Sequence, residues 1–212
     1  MISIEQASQH YEDNDAAHGF DHVLRVTQLA EMIGAAEGAD MEILRTAALL
    51  HDVGRAEQER TGINHAELGA RFARRILAGN PPERIEAVAE AILQHRYRID
   101  NPPSTIEARA LYDADKLDSI GAIGVARAYA FAGKTGQRMW DRVDPGYADL
   151  DSQTVSENLA HGRHTPVHEF TFKLVKLKDC LLTATGRRLA IERHRYMVAF
   201  FERLEREVAG EI

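Results

Sequence analysis

The sequence has almost no cysteine and no long apolar run. Cys180 is the single cysteine among 212 residues, so the chain cannot form an internal disulfide, and we expect it to work in a reducing compartment. No stretch approaches the roughly 18 consecutive apolar residues of a membrane-spanning helix. The N-terminal segment MISIEQASQHYEDND lacks the basic start and apolar core of a signal peptide. These absences predict a cytoplasmic protein that does not enter a membrane.

Positive charge is also in short supply. The chain has 26 Lys and Arg against 33 Asp and Glu, which gives a formal net charge of −7. This balance argues against stable binding to nucleic acid or to an anionic membrane. An anionic small-molecule substrate stays compatible with it, because a local basic pocket or a metal ion can outweigh the overall field. The composition leaves open whether the protein forms a homodimer.

Alternating strand patterns are scarce, whereas Ala, Leu, Glu and Arg are abundant and apolar residues recur at helical spacing. We therefore predict an all-α fold that forms a single domain over residues 1–212. Its parts are a core at about 15–131, a long loop or lid rich in Gly and Asp at about 132–166, and C-terminal helices at about 167–208. The expected helices span about 16–36, 41–51, 65–79, 83–95, 106–131, 167–185 and 187–207.

Capping residues predict where several helices begin and end. Asp40 and Asn64 are suited to cap the helices that follow them, and Pro81 and Pro82 are suited to open the next one. Gly54 offers a stop after the apolar run AALLHD.

Ionisable residues lie inside strongly apolar segments. His51 and Asp52 end the run AALLHD, and Asp115 lies within ALYDADKLDSIGAIG. Burying such groups without compensation is costly. A divalent metal ion would offset the cost, because it binds neutral imidazole and ionised carboxylate together. These residues therefore indicate a metal site.

Histidine and aspartate in the order H…HD…D, on successive predicted helices, resemble the HD-domain phosphohydrolase superfamily. The matching residues are His22 in HGFDHVLRV, His51 and Asp52 in LLHDVGR, and Asp115 in DADKLD. Further segments (HAELGA, DADKLDSIGAIGVAR and HEFTFKLVKLKDCLLTATGRRLAIER) are similar to the small stand-alone bacterial hydrolases of the YedJ/YpgQ-like branch. The resemblance implies a helical bundle around a divalent ion held by those four residues.

The resemblance also implies hydrolysis of phosphoester or phosphoanhydride bonds by metal-activated water, with nucleotides of the (d)NTP type as substrates. Mixed nitrogen and oxygen ligands suit Mn²⁺, with Mg²⁺, Fe, Ni, Co and Zn as alternatives. Asp52 is expected to hold or deprotonate the attacking water as well as to bind the ion. The alternative is a non-catalytic HD module that senses a metal or a nucleotide.

Two further residues are candidates for catalysis. His18 lies one turn before His22 and could donate a proton to the leaving group, or it could support the start of the helix. Asp118 lies one turn after Asp115. It could face the site as a proton carrier or support a ligand, or its carboxylate could bond to neighbouring backbone.

Basic residues and two more histidines are candidates for substrate binding. Arg25, Arg55 and Lys116 flank the expected ligands in sequence and could hold phosphoryl oxygens, or each could form a salt bridge instead. His65 and His95 are expected at the pocket as substrate-binding residues. HD proteins with two metals place histidines at similar positions, but here we expect one ion rather than two.

Several features argue against particular HD subclasses. HDVGRAEQE lacks the Glu-Asp pair of the alarmone hydrolases, and Arg55 stands where the 5′-nucleotidase branch has a glutamate. The histidines of HGRHTPVHEF, at positions 161, 164 and 168, lie in a loop-like context and are expected at the surface, with His168 the exception.

Overall fold

The computed structural model describes residues 1–11, 19–96 and 101–212. Within these ranges the chain contains helices and no β-strand, which confirms the predicted all-α class. None of the described helices is both long enough and apolar enough to span a membrane. The α-helices are α1 Ile4–Ser8, α2 Phe20–Glu37, α3 Met41–Leu50, α4 Arg55–Thr61, α5 His65–Ile76, α6 Pro82–Gln94, α7 Ile106–Leu117, α8 Gly121–Lys134, α9 Ser152–Ala160, α10 Pro166–Phe172 and α11 Ala184–Val208.

The chain divides into two compact units. Unit 1 comprises Met1–Asp118 and Leu181–Gly186, and unit 2 comprises Ser119–Cys180 and Arg187–Ile212. The single domain expected over residues 1–212 stays a prediction. All the described residues expected at the metal site belong to unit 1.

Unit 1 is a bundle in which α2 packs against α3 and α7, α6 packs against α3 and α7, and α5 packs against α6. Its core is aliphatic, with fully buried side chains such as Ile33, Leu50 and Ile92. His22 and His51 are buried to the same degree as these leucines and isoleucines. The site residues are therefore held by the rigid, packed part of the fold.

The predicted helix starts are confirmed where a capping residue marks them. The Asp40 carboxylate accepts hydrogen bonds from the backbone N–H groups of Glu42 and Ile43. The Asn64 side chain accepts one from Ala66, and Pro82 is the first residue of α6. The helix expected from about residue 16 begins at Phe20, and residues 16–18 lie outside the described part of the chain.

The prediction of one continuous helix over about 106–131 is wrong. The chain forms two helices there, α7 and α8, separated at residues 118–120. Ile120 is extended, and Gly121 has a φ of +77°, a left-handed conformation that glycine adopts readily and that cannot continue a helix. Apolar residues keep their helical spacing across the break, so the apolar periodicity does not predict it.

Three other boundaries differ from expectation. The second helix ends at Leu50, close to the expected His51, but Gly54, expected as its stop, directly precedes the short helix α4. The segment expected as a loop at 132–166 contains a 3-10 helix, Tyr147–Asp149, and α9, which Asp151 caps. The helix expected at about 167–185 is α10 followed by a 3-10 helix over Leu174–Cys180, whereas the last helix is confirmed as α11.

Unit 2 contains a partly buried chain of polar side chains that joins this segment to α10. The Tyr147 hydroxyl lies 2.8 Å from Nδ1 of His164, and Nε2 of His164 lies 3.1 Å from Oε2 of Glu169. Lys173 donates to Oε1 of Glu169 at 2.9 Å. His164 is only 5% exposed, so the expectation that it lies at the surface is wrong. Its partners lie up to 17 positions away in sequence, where a local pattern cannot reveal them.

Candidate metal centre

The four residues expected to bind a metal come together from three helices of unit 1. His22 projects from α2, His51 and Asp52 follow the end of α3, and Asp115 lies on α7. Nε2 of His22 lies 3.6 Å from Oδ2 of Asp52 and 3.5 Å from Oδ1 of Asp115. Nε2 of His51 lies 3.6 Å from the same Oδ2 of Asp52. The ligand atoms of His22, His51 and Asp52 all lie within 4.8 Å of one another, and Asp115 adjoins this group through His22.

Asp52 also faces a second pair of histidines. Its Oδ1 lies 3.4 Å from Nε2 of His65 and 3.6 Å from Nε2 of His95. The two Nε2 atoms of that pair lie 3.3 Å apart. Two buried triads with metal-binding geometry therefore share one carboxylate: His22, His51 and Asp52 on one side, and Asp52, His65 and His95 on the other. The expected substrate-binding histidines thus lie directly at the centre.

Each of these four histidines has its Nδ1 against a fixed partner. The partners are Oδ2 of Asp118 for His22 at 2.7 Å, the Ala48 carbonyl for His51 at 2.8 Å, Oε1 of Gln58 for His65 at 2.8 Å, and the Ile92 carbonyl for His95 at 2.5 Å. These oxygens accept hydrogen bonds, so each Nδ1 carries a proton. In the neutral ring each Nε2 then presents a lone pair toward Asp52. Metal-binding histidines are typically oriented in this way.

The donor set fits a divalent cation. Nε2 of His51 and Oδ1 of Asp52 are buried and make no hydrogen bond within the described residues. Buried polar atoms nearly always have a partner, and exceptions call for an explanation. Lone pairs of imidazole that face a carboxylate repel it unless a proton or a cation lies between them. Mixed imidazole and carboxylate ligands suit first-row divalent metals.

The protonation states of these side chains also suit a bound divalent cation. Burial lowers the pKa of His51 to about 4 and that of His65 to about 2, which keeps both rings neutral at neutral pH. Burial by itself raises the pKa of Asp52, but His51 and Arg55 outweigh it and hold that pKa well below the ordinary range. Neutral imidazoles around an ionised carboxylate are the forms that bind metal.

Asp118 lies behind His22, away from the convergence of the ligands. It accepts from Nδ1 of His22 and from Nε of Arg25, the latter at 2.8 Å. Of the alternatives considered, the structure therefore favours support of a ligand over proton transfer. Arg25, expected to bind substrate, is held between Asp118 and Asp21 and forms the salt bridges of the alternative interpretation.

The three acidic residues of DADKLD serve different purposes. The carboxylate of Asp113 is fully buried and accepts hydrogen bonds from the backbone of Leu182 and from the backbone and hydroxyl of Thr183, so it anchors that turn. Asp115 faces the metal group, and Asp118 supports His22. Helical spacing alone separates Asp113 from the other two, because residues two apart point to different sides.

The other two basic residues contact the carboxylate ligands. Arg55 donates from Nε to Oδ2 of Asp52 at 2.5 Å, and its side chain is 32% exposed. Lys116 is buried and donates to Oδ2 of Asp115 at 2.8 Å and to the His95 carbonyl at 3.1 Å. Lys116 thus connects the two sides of the centre. His18, expected to take part in catalysis, lies outside the described residues.

Gln58 is the contact that sequence reasoning missed. Its side-chain oxygen accepts from both the backbone N–H and the Nδ1 of His65, each at 2.8 Å. Gln58 lies in the polar stretch RAEQERT, which has the composition of a solvated helix and gives no sign of a role at a buried site.

Comparison with known proteins places these residues in a wider context. The family model of the HD domain matches residues 19–120. The chain is 33% identical over 202 residues to the uncharacterised protein YpgQ of Bacillus subtilis, covering 93% of this chain and 88% of that protein. A crystal structure of Bacillus subtilis YpgQ in complex with ADP is similar with a TM-score of 0.72 and 29% identity, covering 98% of this chain and 99% of that one.

A crystal structure of a predicted HD superfamily hydrolase from an uncultured Thermotogales bacterium is also similar. Its TM-score is 0.65 at 26% identity, with 96% of this chain and 90% of that chain covered. The similarity therefore extends over both compact units of the chain and beyond the residues that carry the HD motif.

Proposed function

Because this chain belongs to the HD-domain superfamily, whose relatives include hydrolases, we propose that it is a metal-dependent phosphohydrolase that cleaves phosphoester or phosphoanhydride bonds of nucleotides. One observation carries the proposal. Four imidazoles present Nε2 to the buried, ionised carboxylate of Asp52, and their Nδ1 atoms are held by separate acceptors. Such an arrangement is costly without a cation and is suited to hold one.

We propose His22, His51, Asp52 and Asp115 as ligands of a divalent ion, with Mn²⁺ favoured by the mixed nitrogen and oxygen donors. When bound, the ion supplies Lewis-acid polarisation of a phosphoryl oxygen and a lower pKa for water in its coordination sphere. Lys116 would keep Asp115 ionised and in place, because its ammonium group bonds directly to that carboxylate.

Asp52 and Arg55 are the residues that we propose act on the substrate side. The pKa of Asp52 lies well below the ordinary range, so the group is a weak base. Of its two expected roles, holding the attacking water is therefore better supported than deprotonating it. Arg55 brings positive charge next to Asp52 and is partly exposed, which suits it to hold phosphoryl oxygens of an arriving substrate.

The substrate class in this proposal is a nucleotide. It is supported by the ADP complex of the similar protein YpgQ and by the fit of phosphate to a cationic centre. Cytoplasmic location, which a single cysteine favours, belongs to the same proposal.

The test is a hydrolysis assay on chelator-stripped protein to which Mn²⁺ is restored. A panel of nucleoside mono-, di- and triphosphates and cyclic nucleotides is assayed beside His51→Ala, which removes one proposed ligand. We expect Mn²⁺-dependent turnover of at least one nucleotide by the wild-type protein and its loss in the variant. Tight binding of Mn²⁺ and nucleotide without turnover under any divalent ion would contradict the proposal and favour a sensing module.

A further inference from the structure

We propose that Tyr11 is a positioning residue, whose hydroxyl closes the end of α3 and fixes the backbone from which His51 and Asp52 project. This role rests on the proposed metal centre, because it treats those two residues as ligands of the ion. It gives the segment before α2 a part in holding the site, although that segment supplies none of the four proposed ligands.

The end of α3 leaves backbone carbonyls that the helix cannot satisfy by itself, since the last four carbonyls of an α-helix have no partner within it. The carbonyl of Leu49 is one of them. It accepts a hydrogen bond at 2.9 Å from the hydroxyl of Tyr11, which lies 38 positions earlier in the chain. The next carbonyl, that of Leu50, accepts instead from the backbone N–H of Val53 at 3.3 Å, in the turn that follows the helix.

The same hydroxyl also contacts the HD pair. Burial and the carboxylate of Asp52 hold the pKa of Tyr11 well above its ordinary value, and a hydrogen bond from the backbone N–H of Asp52 to the phenol oxygen acts against this rise. A phenol can donate one hydrogen bond and accept another. One hydroxyl thus joins the carbonyl of Leu49 to the N–H of Asp52, and it takes up two backbone groups at the point where α3 stops.

The ring of Tyr11 is held independently of its hydroxyl. It packs beside the ring of Phe20, with the two centroids 5.3 Å apart. Both rings lie against a buried cluster formed by Ala7 of α1, Val23 of α2 and Leu49 of α3. Removal of the hydroxyl alone should therefore leave the ring and this apolar packing in place.

The backbone that Tyr11 holds sets the direction of two proposed ligands. Adjacent side chains of a continuing helix diverge by about 100°. Nε2 of His51 and Oδ2 of Asp52 nevertheless lie 3.6 Å apart. Their convergence depends on the turn that follows α3, so a contact that fixes this turn fixes both ligands before the ion arrives.

Two single substitutions separate this role from a general contribution to stability. Tyr11→Phe removes the hydroxyl and keeps the ring. Thr46→Val is the matched control, because Thr46 is buried on α3 and its hydroxyl donates to the Glu42 carbonyl at 2.7 Å, toward the other end of the helix. Each variant loses one hydroxyl-to-carbonyl hydrogen bond, so we expect similar losses of stability from both.

The first measurement is a calorimetric titration of Mn²⁺ into chelator-stripped protein. We expect the affinity of Tyr11→Phe to fall about 10-fold, the lower end of the effect of removing a group that holds metal ligands in place, and that of Thr46→Val to equal the wild type. The second is amide hydrogen exchange of the metal-free proteins. The Asp52 amide should exchange about 5- to 10-fold faster in Tyr11→Phe, because it loses its acceptor, and at the wild-type rate in Thr46→Val.

A Tyr11→Phe protein that binds Mn²⁺ as tightly as the wild type would overturn the inference, because Tyr11 would then contribute to stability alone. A lower affinity without faster exchange of the Asp52 amide would overturn it too, since the effect would not pass through that backbone. A wild-type protein that binds Mn²⁺ but hydrolyses no nucleotide would contradict the proposed function and leave the role of Tyr11 to these two measurements. A wild-type protein that binds no divalent ion would overturn both.

Discussion

At the scale of single residues, the centre is defined by which nitrogen of each histidine carries the proton. His51 and His95 donate to backbone carbonyls three residues before them, Ala48 and Ile92, so their own helices set their orientation. His22 depends instead on a distant side chain, Asp118. Fixed rings with lone pairs aimed at one point reduce the reorganisation needed when an ion binds.

Asp118→Asn tests this dependence. An asparagine can present an NH₂ group to Nδ1 of His22, which would favour the form with the proton on Nε2 and remove that ligand. We expect the affinity for Mn²⁺ to fall about 10- to 100-fold, measured by calorimetry on stripped protein.

The control is Asp21→Ala, which removes the other carboxylate bound to Arg25 but leaves His22 untouched. Asp21 has a 65% exposed side chain, and exposed ion pairs contribute little, so its loss should leave the affinity unchanged. Equal affinities of the wild type and Asp118→Asn would show that Asp118 does not orient His22.

At the scale of helices, the sequence predicts starts better than interruptions. Asp40, Asn64 and Pro82 act through contacts within three residues, so their local pattern is sufficient. The break between α7 and α8 depends on the left-handed conformation of Gly121, which no apolar pattern records.

The same division between local and distant contacts applies to the candidate site. His51, Asp52 and Asp115 are ionisable residues within apolar segments, where burial is costly, and this pattern can be recognised in the sequence. The pairing of His22 with Asp118 spans 96 positions, and that of Lys116 with the His95 carbonyl spans 21. Such contacts exist only once the helices have packed, so sequence could nominate those residues but could not assign their roles.

Gly54→Ala tests how closely the turn after the HD pair must pack against α5. A Cβ at this position would lie 2.5 Å from the His65 carbonyl oxygen and 2.8 Å from Cβ of Leu68. Since backbone must shift to make room, we expect a loss of about 1–3 kcal/mol in the free energy of unfolding, together with weaker metal binding.

Gly133→Ala is the matched control for this substitution. Gly133 lies within α8 and has open space around the position of a Cβ. The substitution should raise stability by about 0.5–1 kcal/mol, because alanine is the better helix former. Urea unfolding of both variants checks the pair, and a Gly54→Ala protein as stable as the wild type would contradict the close packing.

At the scale of the whole molecule, metal binding, protonation and folding stability are linked. The ligand groups are assembled by helices distributed along unit 1, so the site exists only in the folded chain. A metal that binds the folded protein alone stabilises it in proportion to the logarithm of its concentration over Kd. Protons compete with the metal for the same imidazoles.

Acid should therefore destabilise the metal-free protein. The pKa of His51 falls from 6.5 to about 4 on burial, so the unfolded chain binds more protons than the folded one between these values. Stability is then fully present above about pH 6.5 and is lost as the pH falls toward 4, by at most roughly 3 kcal/mol from this residue. The lowered pKa of Asp52 acts in the same direction at still lower pH.

Urea unfolding of stripped protein between pH 4.5 and 8 measures this loss, and His51→Gln should show a shallower dependence on pH. A wild-type stability that rises as the pH falls through this window would contradict the assignment of a neutral, buried His51.

The most direct test of metal-dependent hydrolysis at this centre is a titration of activity with metal. A single chelator-stripped sample is given the best nucleotide substrate, product is followed by chromatography, and Mn²⁺ is then added in steps beside a His51→Gln sample. We expect no turnover before Mn²⁺, turnover that rises and saturates as the ligands of the centre fill, and none in His51→Gln under the same conditions. Turnover by the stripped protein, or undiminished turnover by His51→Gln, would contradict it.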